Sequence, residues 1–289
     1  MGKIIDYKCT YGNEQGISKE VIEKTSLKFP DAYKNWDSMV LLAKEFKNYY
    51  KANLCELPFC HTVEGEALGG KVNLGDENIG PRAKEYICTT TEELLALPKI
   101  DFSTGRISEV LKACKSLREQ GENVVLNVSG PFTIMNVLIE PTVVFKTFRK
   151  NPELIREVFD KFQHEIIGFI QEAQKSGVNI ISYADSSGGL NILGPKFAEQ
   201  VVEMFTYPLL KRIDKIIDKE MVVVLCPKTT FALLGTDKAI WKDVSIGAPT
   251  NYEEGCIKAI GLAKFIGQTC MKNKEFQLKE GIIKAIQLL

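Results

Sequence analysis

Val222-Val223-Val224-Leu225-Cys226-Pro227-Lys228 reads as an unbroken β-branched run stopped by a cysteine and then a proline. Such a run suits a strand buried on both faces, as in a parallel sheet, with a thiol presented at its C-terminal end. Active sites of parallel α/β proteins sit at those ends. A second apolar run, Lys264-Phe265-Ile266-Gly267-Gln268-Thr269-Cys270, also stops on a thiol. Two strands ending in this way bring both sulfurs to one mouth.

Working outward, the chain from Ile107 to Lys219 repeats one pattern. Helical spacing predicts helices over 107–119, 141–150, 152–175 and 195–219, with a short one over 229–235. Asn151-Pro152 starts the third of these and Gly177 closes it. Between them lie the strand patterns N-V-V-L-N-V-S, ending at Ser129-Gly130-Pro131-Phe132-Thr133, and V-N-I-I-S-Y-A, ending at Asp185-Ser186-Ser187-Gly188-Gly189. Strand alternating with helix favours right-handed parallel crossovers. Trp241 to Pro249 suggests one more strand, and Glu253 to Ala263 one more helix.

The N-terminal part is less regular. Apolar spacing predicts helices over 17–26 and 36–50, separated by Phe29-Pro30. Leu54 to Gly70 then runs from a short strand into a loop dense in ionisable groups, including His61, Glu64 and Glu66. Residues 71–105 read as a turn-rich excursion over the mouth. No internal repeat or low-complexity linker interrupts residues 1–289, so one domain with a helical segment at 1–50 is expected.

Composition limits what this domain does. Its 289 residues are 45% hydrophobic, and 37 basic side chains balance 37 acidic ones. No overall field draws it to nucleic acid or an anionic membrane. No apolar run has the length of a signal peptide core or a membrane span. The expected compartment is the cytoplasm, where the eight cysteines are reduced thiols available as ligands or nucleophiles.

Taken in order, the strand ends L-P-F-C-H-T-V-E-G-E-A-L-G, S-G-P-F-T, Y-A-D-S-S-G-G, V-L-C-P-K-T and G-Q-T-C resemble the uroporphyrinogen decarboxylase superfamily over roughly residues 50–275. They look most like its cobalamin-dependent methyltransferase branch. The resemblance implies a TIM (β/α)8-type barrel with the site at the C-terminal mouth, and it, rather than the strand count, supports closure. It also implies zinc held by a His-X-Cys pair and a later cysteine, which match here as Cys226 and Cys270. The histidine position is Val224, which donates nothing to a metal. His61, with Glu64 or Asp185 as alternatives, is the candidate to fill the gap.

The activity implied is methyl transfer between a methylcorrinoid, carried by a separate corrinoid protein, and a small-molecule thiol or related acceptor. Asp185 and Glu64 are the candidate catalytic carboxylates, and Ser129, Thr133 and Lys228 the candidate substrate contacts. Glu64 and Glu66 also fit a solvated helix N-terminus. Cys9, Cys88, Cys114 and Cys256 lack a partner at metal-binding spacing and read as inert. Tetrapyrrole decarboxylation is the alternative, weakened because the first 50 residues contain no arginine and only Arg82, Arg106 and Lys228 stand near the mouth. A non-catalytic tetrapyrrole- or corrinoid-binding relative is the third reading, with Val224 recording a lost metal ligand.

Overall fold

A computed structural model describes residues 3–9 and 16–289. Seven strands form its main sheet: β1 (Cys55–Leu57), β2 (Val124–Ser129), β3 (Ile180–Ala184), β4 (Val222–Leu225), β5 (Ala239–Ser245), β6 (Phe265–Ile266) and β7 (Ile282–Leu288). The spatial order is β1-β2-β3-β4-β6-β7-β5. The first five run parallel, and β7 is antiparallel to both β6 and β5.

The parallel part follows from composition. All four residues of β4 are buried, as are five of the six in β2, which is what strands covered on both faces require. Alternation then sorts the side chains. Val223 and Leu225 of β4, with Ile181 and Tyr183 of β3, join the large core beneath the helices Gly105–Glu119 and Pro152–Lys175. Val222 and Val224 join Val125, Ile180 and Ile266 on the other face. That second face is filled by Tyr252, Cys256 and Ala259, which the helix Tyr252–Lys258 and its cap supply, and by Ile283 and Ala285 of β7.

This differs from eight parallel strands closing on themselves. Among the described residues, β1 lies at one edge of the order and β5 at the other. The Lys264–Cys270 run supplies only a two-residue strand, because Gly267 brings the backbone close against its neighbours. A Cβ there would stand 2.5 Å from Thr230 Oγ1 and 2.6 Å from the Leu225 carbonyl oxygen. The Trp241 region does form a strand, but beyond Ala239 its residues are exposed or half-buried, and it pairs antiparallel with β7 over seven residues.

Most helices fall where periodicity places them, at 19–25, 36–49, 105–119, 141–150 and 152–175. The predicted 195–219 helix is instead Pro195–Val201 and Tyr207–Ile216 joined by a π-type turn at Val202–Thr206. Pro208 has no N–H to continue the ordinary ladder there, which accounts for the wider turn.

Candidate functional site

The strand ends meet in register. Ser129 pairs with Ala184, Gly130 N–H donates to the Ala184 carbonyl at 2.9 Å, and Cys226 N–H donates to the Tyr183 carbonyl at 2.9 Å. Going up the face that carries Val222 and Val224, the layer of Val125, Ile180 and Val222 gives way to Asn127, Ser182 and Val224, then to Ser129, Ala184 and Cys226. An apolar floor thus ends in a polar rim, the arrangement expected of a strand-end site.

Two carboxylates flank the Ser129–Thr133 turn. Glu64, only 2% exposed, accepts from Ser129 N–H at 2.7 Å through Oε1 and from Ser129 Oγ at 3.3 Å through Oε2. Burial raises its pKa, while the Ser129 donors and the Arg106 charge pull the other way. The solvated helix-end reading of Glu64 therefore does not hold. Asp185 Oδ1 accepts from Thr133 N–H and Thr133 Oγ1, both at 2.8 Å, and its Oδ2 accepts from Phe132 N–H at 3.3 Å. It holds the start of the helix Pro131–Leu138. Burial pushes the Asp185 carboxyl up to about 6 against these donors and Lys228. The hydroxyls expected to contact substrate, Ser129 and Thr133, are thus engaged by the two acids.

Gly130 is where these groups crowd. A Cβ on it would lie 2.3 Å from Asp185 Cβ and 2.9 Å from the Tyr183 hydroxyl. Gly130→Ala is expected to destabilise the fold by about 1–3 kcal/mol, the usual cost of overpacking. Denaturant midpoints measure this, and an unchanged midpoint would show that Asp185 is less firmly held than its hydrogen bonds indicate.

On the other side, Glu66 pairs with the buried Arg106, which is 8% exposed. Arg106 Nε donates to Glu66 Oε2 at 2.6 Å, one terminal nitrogen to Cys60 Sγ at 3.0 Å and the other to Thr62 Oγ1 at 2.7 Å. Cys60 and Thr62 bracket His61, so one guanidinium clamps the loop that carries the imidazole. Arg106 is consequently spent on the protein rather than free for a substrate carboxylate. His61 is partly buried, and burial, then the Lys272 charge, lowers its pKa.

The two cysteines occupy matching turns. Cys226-Pro227-Lys228 and Cys270-Met271-Lys272 each place the backbone N–H and the charge of the lysine two residues on toward the sulfur, and both favour the thiolate. Burial is the larger influence and pushes Cys226 up to about 11. Cys270 is likewise raised by burial first, and Cys226 feels the Cys270 charge. Lys272 is a residue that sequence reasoning missed, although the repeated Cys-X-Lys spelling was visible. Lys228 Nζ donates to Asn191 Oδ1 at 3.3 Å.

Cys88, Cys114 and Cys256 are buried, in keeping with an inert role. Cys9 is not of that kind: it is exposed and acts electrostatically on both Cys226 and Cys270. Among the described residues no three His, Cys, Asp or Glu side chains already converge as a metal-holding group. The donor chemistry nonetheless suits zinc, since two neighbouring thiols are each supplied with an N–H and a lysine that stabilise the ionised form. None of the helices among the described residues is long and apolar enough to cross a membrane.

Comparison with known proteins sets this geometry among relatives. Methylcobamide:CoM methyltransferase MtaA of Methanosarcina barkeri is 26% identical over 237 residues, covering 80% of this chain and 68% of the relative. Methylcobamide:CoM methyltransferase MtbA of Methanosarcina acetivorans is 22% identical over 238 residues, covering 80% and 69%. A solved methyltransferase from Methanosarcina mazei superposes with a TM-score of 0.62 at 22% identity, over 72% of this chain and 60% of that one. At that identity the superposition speaks for the fold alone. The uroporphyrinogen decarboxylase family model matches residues 15–246, from ahead of the first helix to the end of β5, and the chain belongs to that family.

Proposed function

We propose that this protein is a corrinoid-dependent methyltransferase of a TIM-barrel-like α/β fold, working in the cytoplasm at the C-terminal mouth of its parallel strands. It moves a methyl group between a methylcorrinoid, presented by a separate carrier protein, and a small thiol or related acceptor. The observation that carries this reading is the pair of Cys-X-Lys turns at the ends of adjacent parallel strands, β4 and β6. Relatives named as methylcobamide:CoM methyltransferases support the same kind of chemistry.

Cys226 and Cys270 would hold zinc, with His61 a further donor. An ion held there would supply Lewis acidity that keeps an acceptor thiol ionised near neutral pH, and so nucleophilic toward a methyl carbon. The chain's own residues do the rest. Lys228 and Lys272 offset negative charge around the sulfurs. Asp185, titrating near 6, takes or returns a proton close to neutrality. Glu64 fixes the backbone of Ser129 and so the shape of the rim.

Tetrapyrrole decarboxylation is less well supported, because Arg106 is fully committed to Cys60, Thr62 and Glu66. A non-catalytic corrinoid-binding relative has one observation in its favour, namely the buried Val224, one layer below Cys226, where the branch carries its histidine.

Zinc content of the wild type, of Cys226→Ser and of Cys270→Ser tests the reading, together with demethylation of methylcobalamin by an added thiol. About one zinc per chain is expected, falling at least about tenfold in each variant along with the rate. A wild type that takes up no stoichiometric metal loses the thiolate mechanism and leaves the non-catalytic reading.

A further inference from the structure

We infer that Cys9, on the N-terminal segment, is the third sulfur donor of the Cys226–Cys270 site and takes the place of the histidine absent at position 224. The inference rests on the zinc reading above and asks which group completes the ion's shell.

The path of residues 3–9 is the first argument. This segment belongs to no helix or strand and lies against the helix Pro227–Gly235 that follows Cys226. At the far end of that helix, a Cβ on Gly235 would meet Ile4 Cα at 2.5 Å, so Ile4 rests on the glycine itself. Further on, the Tyr7 ring stacks on Phe231 with centroids 5.9 Å apart. The segment therefore runs antiparallel to the helix, toward its N-terminus. From Tyr7 two extended residues advance roughly 7 Å. From Phe231 back to Cys226, five helical residues span roughly 7.5 Å. The two advances match and direct Cys9 toward Cys226, although the three sulfurs do not yet converge as a metal-holding group. In keeping with this, Cys9 acts electrostatically on Cys226 and on Cys270, so all three sulfurs share one neighbourhood.

Elimination is the second argument. The oxygens of Glu64 are held by Ser129, and those of Asp185 by Thr133 and Phe132. His61 belongs to the loop that Arg106 clamps through Cys60 and Thr62, and would serve as a further donor beside the sulfurs. Val224 lies one layer below Cys226 on the same face, beside Ile266, and no donor replaces it there. A third thiolate suits zinc as well as an imidazole does, since three-sulfur sets are common for this ion. Binding would release the thiol protons to solvent and draw Cys9 inward.

The test is a Co(II) titration of the full chain, with Co(II) alone as the probe and thiolate-to-cobalt charge-transfer absorbance as the readout. Wild type, Cys9→Ser, Cys226→Ser and Cys9→Ser combined with Val224→His are compared. Cys9 is exposed, so its serine variant should fold. The expected results are a charge-transfer intensity about one third lower in Cys9→Ser, an affinity at least about tenfold weaker, and recovery of affinity, but not of intensity, when Val224→His is added. Unaltered intensity and affinity in Cys9→Ser, with both lost in Cys226→Ser, would overturn the role of Cys9 while leaving the zinc reading intact. No cobalt uptake by the wild type overturns both.

Discussion

Replacing Arg106 by leucine is expected to cost about 3 kcal/mol of stability, the lower end of what removing one partner of a buried ion pair does. For a chain of this size that is a fall in melting temperature of roughly 6–12 °C. Three donors are lost at once, to Glu66, Thr62 and Cys60. Thr62 is itself buried at 6% exposure, so its hydroxyl oxygen has little access to water. Glu66 has 32% of its side-chain surface exposed and can turn outward, which keeps the loss from reaching the upper end of that range. Arg106→Lys should recover part of the loss, because a single ammonium cannot reach three acceptors spread over residues 60–66. Combining Arg106→Leu with Glu66→Leu should cost less than the sum of the two single changes. Thermal unfolding of the four proteins measures this, and a cycle that adds without coupling would show the pair to be a surface contact worth little. The same clamp brackets His61, so Arg106→Leu should also free the imidazole from its enclosed position. Its NMR titration midpoint would then move up toward the usual histidine value, opposite to the downward push of burial and Lys272.

Much of the frame could be read without coordinates, and the reason is local. β2, β3 and β4 are apolar runs buried on both faces, and the helices between them carry their own starts, such as Asn151-Pro152, whose side chain accepts from Leu154 N–H. The rim was legible for the same reason, because a strand ending in Cys226 or Asp185 puts that residue at the mouth wherever the rest goes. What escaped were features fixed by distant partners. The antiparallel pairing of β5 with β7 joins residues about 40 apart and has no local signature. Arg106 reaches back 40 to 46 residues to its acceptors, and an arginine inside an amphipathic helix looks like any solvated one. Cys9 reads as a stray thiol because nothing near it in sequence says which helix the segment will lie on. Asp185 marks the limit from the other side. Its placement after Ala184 was plain, but the three donors that hold it come from a turn 52 to 53 residues earlier.

Those donors make Asp185 the residue whose substitution should depend most on pH. Its carboxyl is ordinarily half-protonated at 3.8 and is pushed up to about 6 in the fold, with burial the leading cause. Between those values the native state holds a proton that the unfolded chain has released. Stability tied to this group is therefore complete below about pH 4 and is lost as pH rises through about 6. The full shift corresponds to about 3 kcal/mol. Asp185 is only partly buried, so solvent screening reduces this to roughly 2 kcal/mol. Asp185→Asn cannot titrate and keeps one oxygen for the Thr133 donors, losing the bond from Phe132. The stability of wild type relative to Asp185→Asn should thus fall by roughly 2 kcal/mol between pH 4 and pH 7, as read from urea midpoints at several pH values. Two forces compete here, since the Thr133 and Phe132 N–H groups at the helix start favour the charged form while burial, the larger influence, opposes it. If the donors dominate, the wild type gains on the variant as pH rises, and a proton held near neutrality drops out of the proposed chemistry. If burial dominates, the wild-type methyl-transfer rate should also change ionisation state near pH 6, and that limb of the pH profile should vanish in Asp185→Asn.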